Sequence, residues 1–267
     1  MTRRSRRDDA QAFLAEGPQA VREALASRDV VAELYGTAAA WSRYAGLAAA
    51  ARAAGVPVST GTDRALAGLS ETSHPQGLVA RCRFIDVPLA QALHRQPRLA
   101  AVLVEGRDPG NAGTVLRVAD AAGAAAVVFA GAAVDPYNGK AVRASAGSLF
   151  HLPVVRGATI EATVAAARST GAQILAATGT PDAAHRFELE DLDDLADAGT
   201  LAAPTVWLFG NEAAGLAGDV SAVADHAVRV PIHGRAESLN LAAAAAVCLY
   251  TSARAQRVER PLDRRSP

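Results

Sequence analysis

Short unbroken apolar runs alternate with stretches of helical spacing along the whole chain, and the runs fall into two groups. In the first group, β-type runs are expected near Phe13–Ala15, Val30–Tyr35, Val56–Ser59 and Leu78–Arg83. Helical stretches separate them: Pro18–Ser27, with proline at an early helical position, Ala38–Ala54 and Asp63–Leu69. In the second group, strands are expected at Ala101–Val104, Ala126–Ala130, Pro153–Val155, Gln173–Ala177, Thr205–Phe209 and Ala227–Val230. Helices are expected over Ala112–Ala122, Gly139–Ser148, Ile160–Thr170 and Leu239–Ala255, and acidic Asp191–Asp197 reads as a surface helix or loop. Strands that are apolar at every position suit a parallel sheet covered on both faces. The pattern therefore predicts a small α/β domain over residues 10–85, a proline-bearing linker over 86–98 and a parallel-sheet α/β domain over 99–267.

A length of 267 residues accommodates these two domains, and half of the residues are hydrophobic. Aromatics make up only 4%, so Ala, Val and Leu must fill the core. Basic and acidic residues balance at 27 each, and overall charge gives no sign of a nucleic-acid partner. Arg3, Arg4, Arg6 and Arg7 form a basic leader over residues 1–9, suited to touching phosphates. A solvated, disordered terminus would look the same, and disorder is the expectation there. Lys140 is the only lysine. Cys82 and Cys248 read as buried small hydrophobes, since no CxxC or Cys/His spacing surrounds them. His74, His151, His185 and His233 lack metal-ligand spacing, so no metal site is expected. No signal peptide is evident, and apolar Leu239–Tyr250 is too short to span a bilayer, so a cytoplasmic protein is expected.

Ligands of open parallel sheets bind in loops beyond the C-terminal strand ends, and three such loops carry unusual residues. The first is Val104-Glu105-Gly106-Arg107-Asp108-Pro109-Gly110-Asn111-Ala112-Gly113-Thr114-Val115-Leu116-Arg117, with Asn111 placed to cap a helix. Arg117 lies four residues beyond Gly113 on the same helical face, so it is expected to lean over the bare glycine toward the loop. Two roles stay open for it: paired hydrogen bonds to a phosphate, or a surface pair with Asp120. The second loop is Leu208-Phe209-Gly210-Asn211-Glu212, where the glycine permits close backbone approach and Glu212 suits a helix first turn. The third runs from Val230-Pro231-Ile232 through His233 and Arg235 to Glu237-Ser238-Leu239-Asn240, with Ser238 the expected cap and Asn240 in the first turn. No G-x-G-x-x-G, P-loop or nucleophile elbow is present. Asp135 stands about where a dehydrogenase keeps its ribose-binding acid, which leaves a doubly wound nucleotide-binding oxidoreductase as the rival reading.

Together the three loops resemble the motifs of the SpoU (TrmH) branch of the SPOUT RNA methyltransferases, in order and in spacing. Arg143-Ala144-Ser145-Ala146-Gly147 resembles a further family segment. Glu16-Gly17-Pro18, Ala54-Gly55-Val56-Pro57-Val58 and Thr72-Ser73-His74-Pro75-Gln76-Gly77 are similar to the family's RNA-binding substrate domain. The resemblance implies a SPOUT domain with a deep trefoil knot near the C-terminus and a homodimer. It implies S-adenosylmethionine as methyl donor and 2′-O-methylation of a ribose in structured RNA, ribosomal RNA by preference and transfer RNA as the alternative. By the same resemblance Gly210, Val230, Ile232 and Leu239 hold the cofactor. Asn111, Arg117, Glu212, Ser238 and Asn240 surround the methyl transfer, and Arg143 contacts RNA; Arg3 and Arg4 of the basic leader are expected to contact RNA by their charge. A module that binds RNA without catalysis is a further alternative, which the intact polar set opposes.

Overall fold

The computed structural model describes residues 3–70, 72, 75–94, 97–179, 188–210, 216 and 223–258. Chain order among them begins with α1 (Arg4–Ala10), β1 (Ala12–Glu16), α2 (Pro18–Ala26), β2 (Val31–Gly36), α3 (Ala38–Arg43) and α4 (Ala45–Ala53). Then come β3 (Val58–Thr60), α5 (Asp63–Ala67), β4 (Leu78–Arg83), α6 (Leu89–Ala92) and β5 (Leu99–Val104). The second half continues with α7 (Pro109–Ala122), β6 (Val127–Ala130), α8 (Gly139–Ala144), β7 (Val154–Ala158), α9 (Ile160–Ser169) and β8 (Gln173–Ala177). It ends with β9 (Leu189–Asp191), α10 (Leu192–Asp197), β10 (Thr205–Phe209), β11 (His226–Arg229) and α11 (Leu241–Val258).

The first half forms a four-stranded sheet in the order β1-β4-β2-β3, with β4 antiparallel to both neighbours. The second half forms a seven-stranded sheet, β7-β6-β5-β10-β8-β11-β9, whose pairings are all parallel. Alternate residues of its central strands feed opposite faces, as a pleated strand requires. Leu99, Ala101, Leu103, Trp207 and Phe209 join a core beneath α7 and α11. Ala100, Val102, Val104, Val206 and Leu208 join a second core beneath α6 and α9. Expected strands at 78–83, 173–177 and 205–209 match, and β9 escaped the pattern because three residues show no periodicity. The expected single helix over 38–54 breaks at Tyr44, which leaves helical geometry (φ −121°, ψ 40°) and packs against the core.

Helix α11 is strapped across the central strands by buried polar contacts. Trp207 Nε1 donates to Ser252 Oγ at 2.9 Å. Gln256 Nε2 donates to the carbonyls of Arg98 and Ala203, at the feet of β5 and β10. Cys82 and Cys248 are buried as expected, and desolvation pushes both thiols up to about 12, so neither is a reactive thiolate at neutral pH. No helix among the described residues is long and apolar enough to cross a membrane.

The leader corrects the sequence reading. Instead of disordered chain, Arg4–Ala10 is helical and Arg7 is buried. Its guanidinium meets the carboxylate of Asp135 with Nε at 2.9 Å and Nη2 at 2.7 Å, and the two side chains are only 3% and 4% exposed. Both nitrogens converge on Oδ2, and two charge-assisted hydrogen bonds make such burial tolerable. The Asp135 carboxylate also accepts the Tyr137 backbone N–H at 3.0 Å. It is therefore consumed in structure, and the rival reading of Asp135 as a ribose-binding acid falls.

Around this pair the two halves share one core. Tyr137 stacks between Phe13 (4.6 Å) and Phe84 (4.4 Å), and its hydroxyl bridges the Ile85 N–H and the Asp86 carboxylate. Burial and Asp86 together raise the Tyr137 pKa, so it stays a neutral donor. Arg156 covers Phe84 at 4.3 Å and pairs with Asp8 at 2.7 Å. The segment expected as a linker is pinned at its start by Asp86 and by the bond from Val87 N–H to the Val154 carbonyl. His151 adds a bridge between Asp120 (2.8 Å) and Glu23 (3.3 Å), and the carboxylates raise its pKa.

Arg7→Met leaves the Asp135 charge buried without its partner and is expected to cost about 3–5 kcal/mol of stability, read from denaturant unfolding. A loss under about 1 kcal/mol would show that the pair is not what holds α1. A raised folded pKa means that His151 stabilises the fold below its ordinary pKa of about 6.5 and loses that effect as pH rises through the folded value. The melting-temperature advantage of the wild type over His151→Gln should therefore shrink from about pH 6 to about pH 8.5. An advantage independent of pH would remove the charge from this account.

Candidate active site at the strand ends

The first loop leaves β5 through Glu105, whose φ of +53° turns the chain at once. Asp108, not Asn111, caps the helix. Its Oδ1 accepts the Asn111 backbone N–H at 2.8 Å, and Pro109 follows at the first helical position. The Asp-Pro pair carried this signal in the sequence. The other carboxylate oxygen of Asp108 takes Lys140 Nζ at 2.6 Å, a contact that sequence spacing did not reveal. The lysine hydrogen bond, then the cap, hold the Asp108 pKa below its usual value. Asn111 sits three positions deeper, in the first turn of α7.

Gly113 has a different purpose from the one expected. A Cβ there would lie 2.3 Å from the Ala141 carbonyl and 2.7 Å from the Ala144 Cβ. The glycine lets α8 press on α7 rather than clearing a path for Arg117. Arg117 is exposed on α7 and makes no hydrogen bond or ion pair among the described residues. Asp120, the surface partner left open for it, is held by His151 instead.

The third loop returns to the first through α11. Asn240, not Ser238, caps α11: its Oδ1 accepts the Ala242 N–H at 2.9 Å and the Ala243 N–H at 3.4 Å. Asn240 Nδ2 then donates to Asn111 Oδ1 at 3.0 Å. One amide thus caps α11 and ties the third loop to the first turn of α7, which fixes which end of each amide faces the other. Nearby, Leu241 packs toward Gly106, with Cδ2 3.9 Å from where a Cβ would sit.

Of the expected site residues, the structure brings together Asn111 and Asn240. Gly210 is buried at the end of β10, and Val230 follows β11 half-buried against the main core. Ser238 is exposed in the third loop without a hydrogen bond among the described residues. Glu212 lies outside the described residues. Ile232 and Leu239 are 38% and 39% exposed, large apolar side chains offered by the same loop. Exposed apolar groups beside a backbone-rich loop suit a flat, partly apolar ligand. No cluster able to hold a metal occurs among the described residues.

Arg143 lies apart from these groups, on α8, where it meets Glu16 at 3.4 Å. Its segment docks the two halves: the Ala146 carbonyl accepts from Gln19, and Gly147 (φ +103°) lies where a Cβ would come within 2.5 Å of the Glu23 side chain. Arg3 is exposed, and Arg4 lies 3.8 Å from Asp8.

The SpoU rRNA Methylase family matches residues 98–250, and an MRM3-like substrate binding domain matches residues 1–80. This chain belongs to the SpoU methylase family. Among relatives, it is 32% identical to the 23S rRNA (guanosine(2553)-2′-O)-methyltransferase RlmP of Bacillus subtilis, over 89% of this chain and 87% of that one. An AdoMet-bound rRNA methyltransferase from Sinorhizobium meliloti superposes with a TM-score of 0.78 at 31% identity, covering 95% of this chain and 91% of that one. The SpoU methyltransferase AviRb of Streptomyces viridochromogenes, in complex with AdoMet, superposes with a TM-score of 0.78 at 29% identity, covering 96% and 95%. The α/β architecture with its parallel sheet is that of SpoU enzymes.

Asn240→Ala removes the cap and the tie, and should lower stability by about 0.5–2 kcal/mol in chemical denaturation. Asn240→Asp keeps an acceptor for the cap but sets oxygen against Asn111 Oδ1. Hydrogen exchange should then show the Ala242 and Ala243 amides as protected as in wild type, with faster exchange in the 230–239 loop. Equal loop protection in both proteins would mean that the tie does not hold the loop.

Proposed function

We propose that this chain transfers a methyl group from S-adenosylmethionine to the 2′-hydroxyl of a ribose in ribosomal RNA. The observation that carries the reading is the Asn240–Asn111 bond, which holds the Ile232–Leu239 loop against the first turn of α7. Gly210, Val230, Ile232 and Leu239 supply what an adenosyl group needs: a bare backbone approach and apolar walls. When bound, the donor offers a methyl group on a positively charged sulfur, and no metal is required. Curated relatives that act on 23S rRNA support ribosomal over transfer RNA.

A ribose hydroxyl is a weak nucleophile and needs stabilisation of the charge that develops on oxygen. Arg117, exposed and without a protein partner among the described residues, is suited to hold an RNA phosphate and supply that stabilisation. Asn111, its Oδ1 engaged by Asn240, positions the ribose or Arg117. Ser238 completes the polar rim, and Glu212 orients Asn111 or Arg117. Arg3 and Arg4 touch the RNA backbone. A trefoil knot threads the second and third loops in this reading. Val247 and Tyr250, exposed on α11, supply the apolar face of a homodimer, and the enzyme works in the cytoplasm.

Methylation of ribosomal RNA by the purified chain with S-adenosylmethionine, mapped as ribose 2′-O-methylation, tests the activity; its absence on ribosomal and transfer RNA alike would leave an RNA-binding module. Arg117→Ala should lower methyl transfer by about 10²–10³-fold while S-adenosylhomocysteine binding in calorimetry stays within about twofold. Lost binding would reassign Arg117 to the cofactor pocket.

A further inference from the structure

A cleft of about 160 Å³ opens where the two halves meet, away from the strand ends. Its floor and walls come from Glu16, Ser70, Thr72 and Gln76 with apolar Leu66 and Pro75, and Arg143 closes it from α8. Glu16 Oε2 accepts the Ser70 hydroxyl at 2.8 Å. Arg143 Nη1 lies 3.4 Å from Glu16 Oε1 but is misaligned for a hydrogen bond. That nitrogen is buried with no hydrogen-bond partner. A buried guanidinium nitrogen left unsatisfied is costly unless a ligand completes it.

The charge in the cleft decides what that ligand is. A carboxylate only 9% exposed stands against the guanidinium, so the pair has no net charge, and an incoming phosphate would meet Glu16 as well as Arg143. A neutral, flat group with an acceptor on its edge meets the buried Arg143 nitrogen without opposing the Glu16 carboxylate, and the apolar walls suit its faces. Arg143 is one helical turn beyond Lys140, whose ammonium sits on the cap of α7. The first turn of α7 carries Asn111, so α8 runs from the candidate active site to this cleft. We infer that the junction cleft seats one unstacked nucleobase of the substrate RNA, held by Arg143 as Glu16 positions it, separate from the nucleotide that is methylated. This rests on the RNA-methylating reading above. It makes the fixed orientation of the two halves a ruler that sets the spacing between the anchoring base and the target ribose.

The test uses the full chain and ribosomal RNA, with affinity measured over a series of salt concentrations. Arg143→Gln should weaken binding about tenfold and leave the slope of log affinity against log salt unchanged, because a base contact releases no counterion. A slope reduced by about one would mean that Arg143 grips a phosphate, overturning the inference. Glu16→Gln discriminates by sign: a seated base predicts weaker binding, whereas a phosphate site predicts tighter binding once the carboxylate is gone. Thr72→Phe fills the cleft without touching the ion pair and should reproduce the loss, with S-adenosylhomocysteine binding and melting temperature unchanged. Wild-type affinity in all three variants sinks the cleft alone, while methylation by the wild type still upholds the enzyme. Absence of methyl transfer by the wild type would instead sink the functional reading.

Discussion

The hydrogen bond between Asn240 and Asn111 depends on where α11 lies, and the site depends on that bond. Residues 129 positions apart meet because α11 is strapped to the sheet at Trp207 and at the feet of β5 and β10. Buried polar contacts of this kind are directional, so they fix the rotation of the helix as well as its depth. With the helix fixed, its cap residue has one orientation. That orientation hands an N–H to Asn111, and the third loop is laid beside the first.

A second constraint sets the relation between the halves. Arg7–Asp135 and the stacked Phe13, Tyr137 and Phe84 make the junction part of the core rather than a hinge. The inter-half segment is held at Asp86 and Val87 and adds no slack. Removing the first half would strip the covering from Tyr137 and leave Asp135 unpaired, so the second half is not an independent module. An enzyme that must find one ribose in a large folded RNA benefits from such rigidity, since grip and chemistry are then placed together.

Several sequence signals were legible because they are local. Strands β8 and β10 are nearly continuous apolar runs with clean ends, β4 opens on Leu78-Val79-Ala80, and the three motif loops were found by residue type and spacing. Where the reading failed, a nearer competitor took the assigned job. Asp108 caps α7 in place of Asn111, and Asn240 caps α11 in place of Ser238. Of the two roles left open for Arg117, the surface pair with Asp120 is not formed, because Asp120 is taken by a histidine from another element.

The sequence by itself determined the two-part α/β pattern and the places where the chain turns, and its three loops carried the resemblance to the SpoU motifs. The pattern and the turns follow from side-chain type and local periodicity. Only the tertiary structure decided that the arginine leader is a helix with Arg7 buried on Asp135, that Gly113 serves helix packing, and that Arg143 meets Glu16 beside a cleft. Each is a contact between residues distant in the chain. Local pattern carries no record of such partners, because hydrophobic spacing specifies which face is buried but not against what.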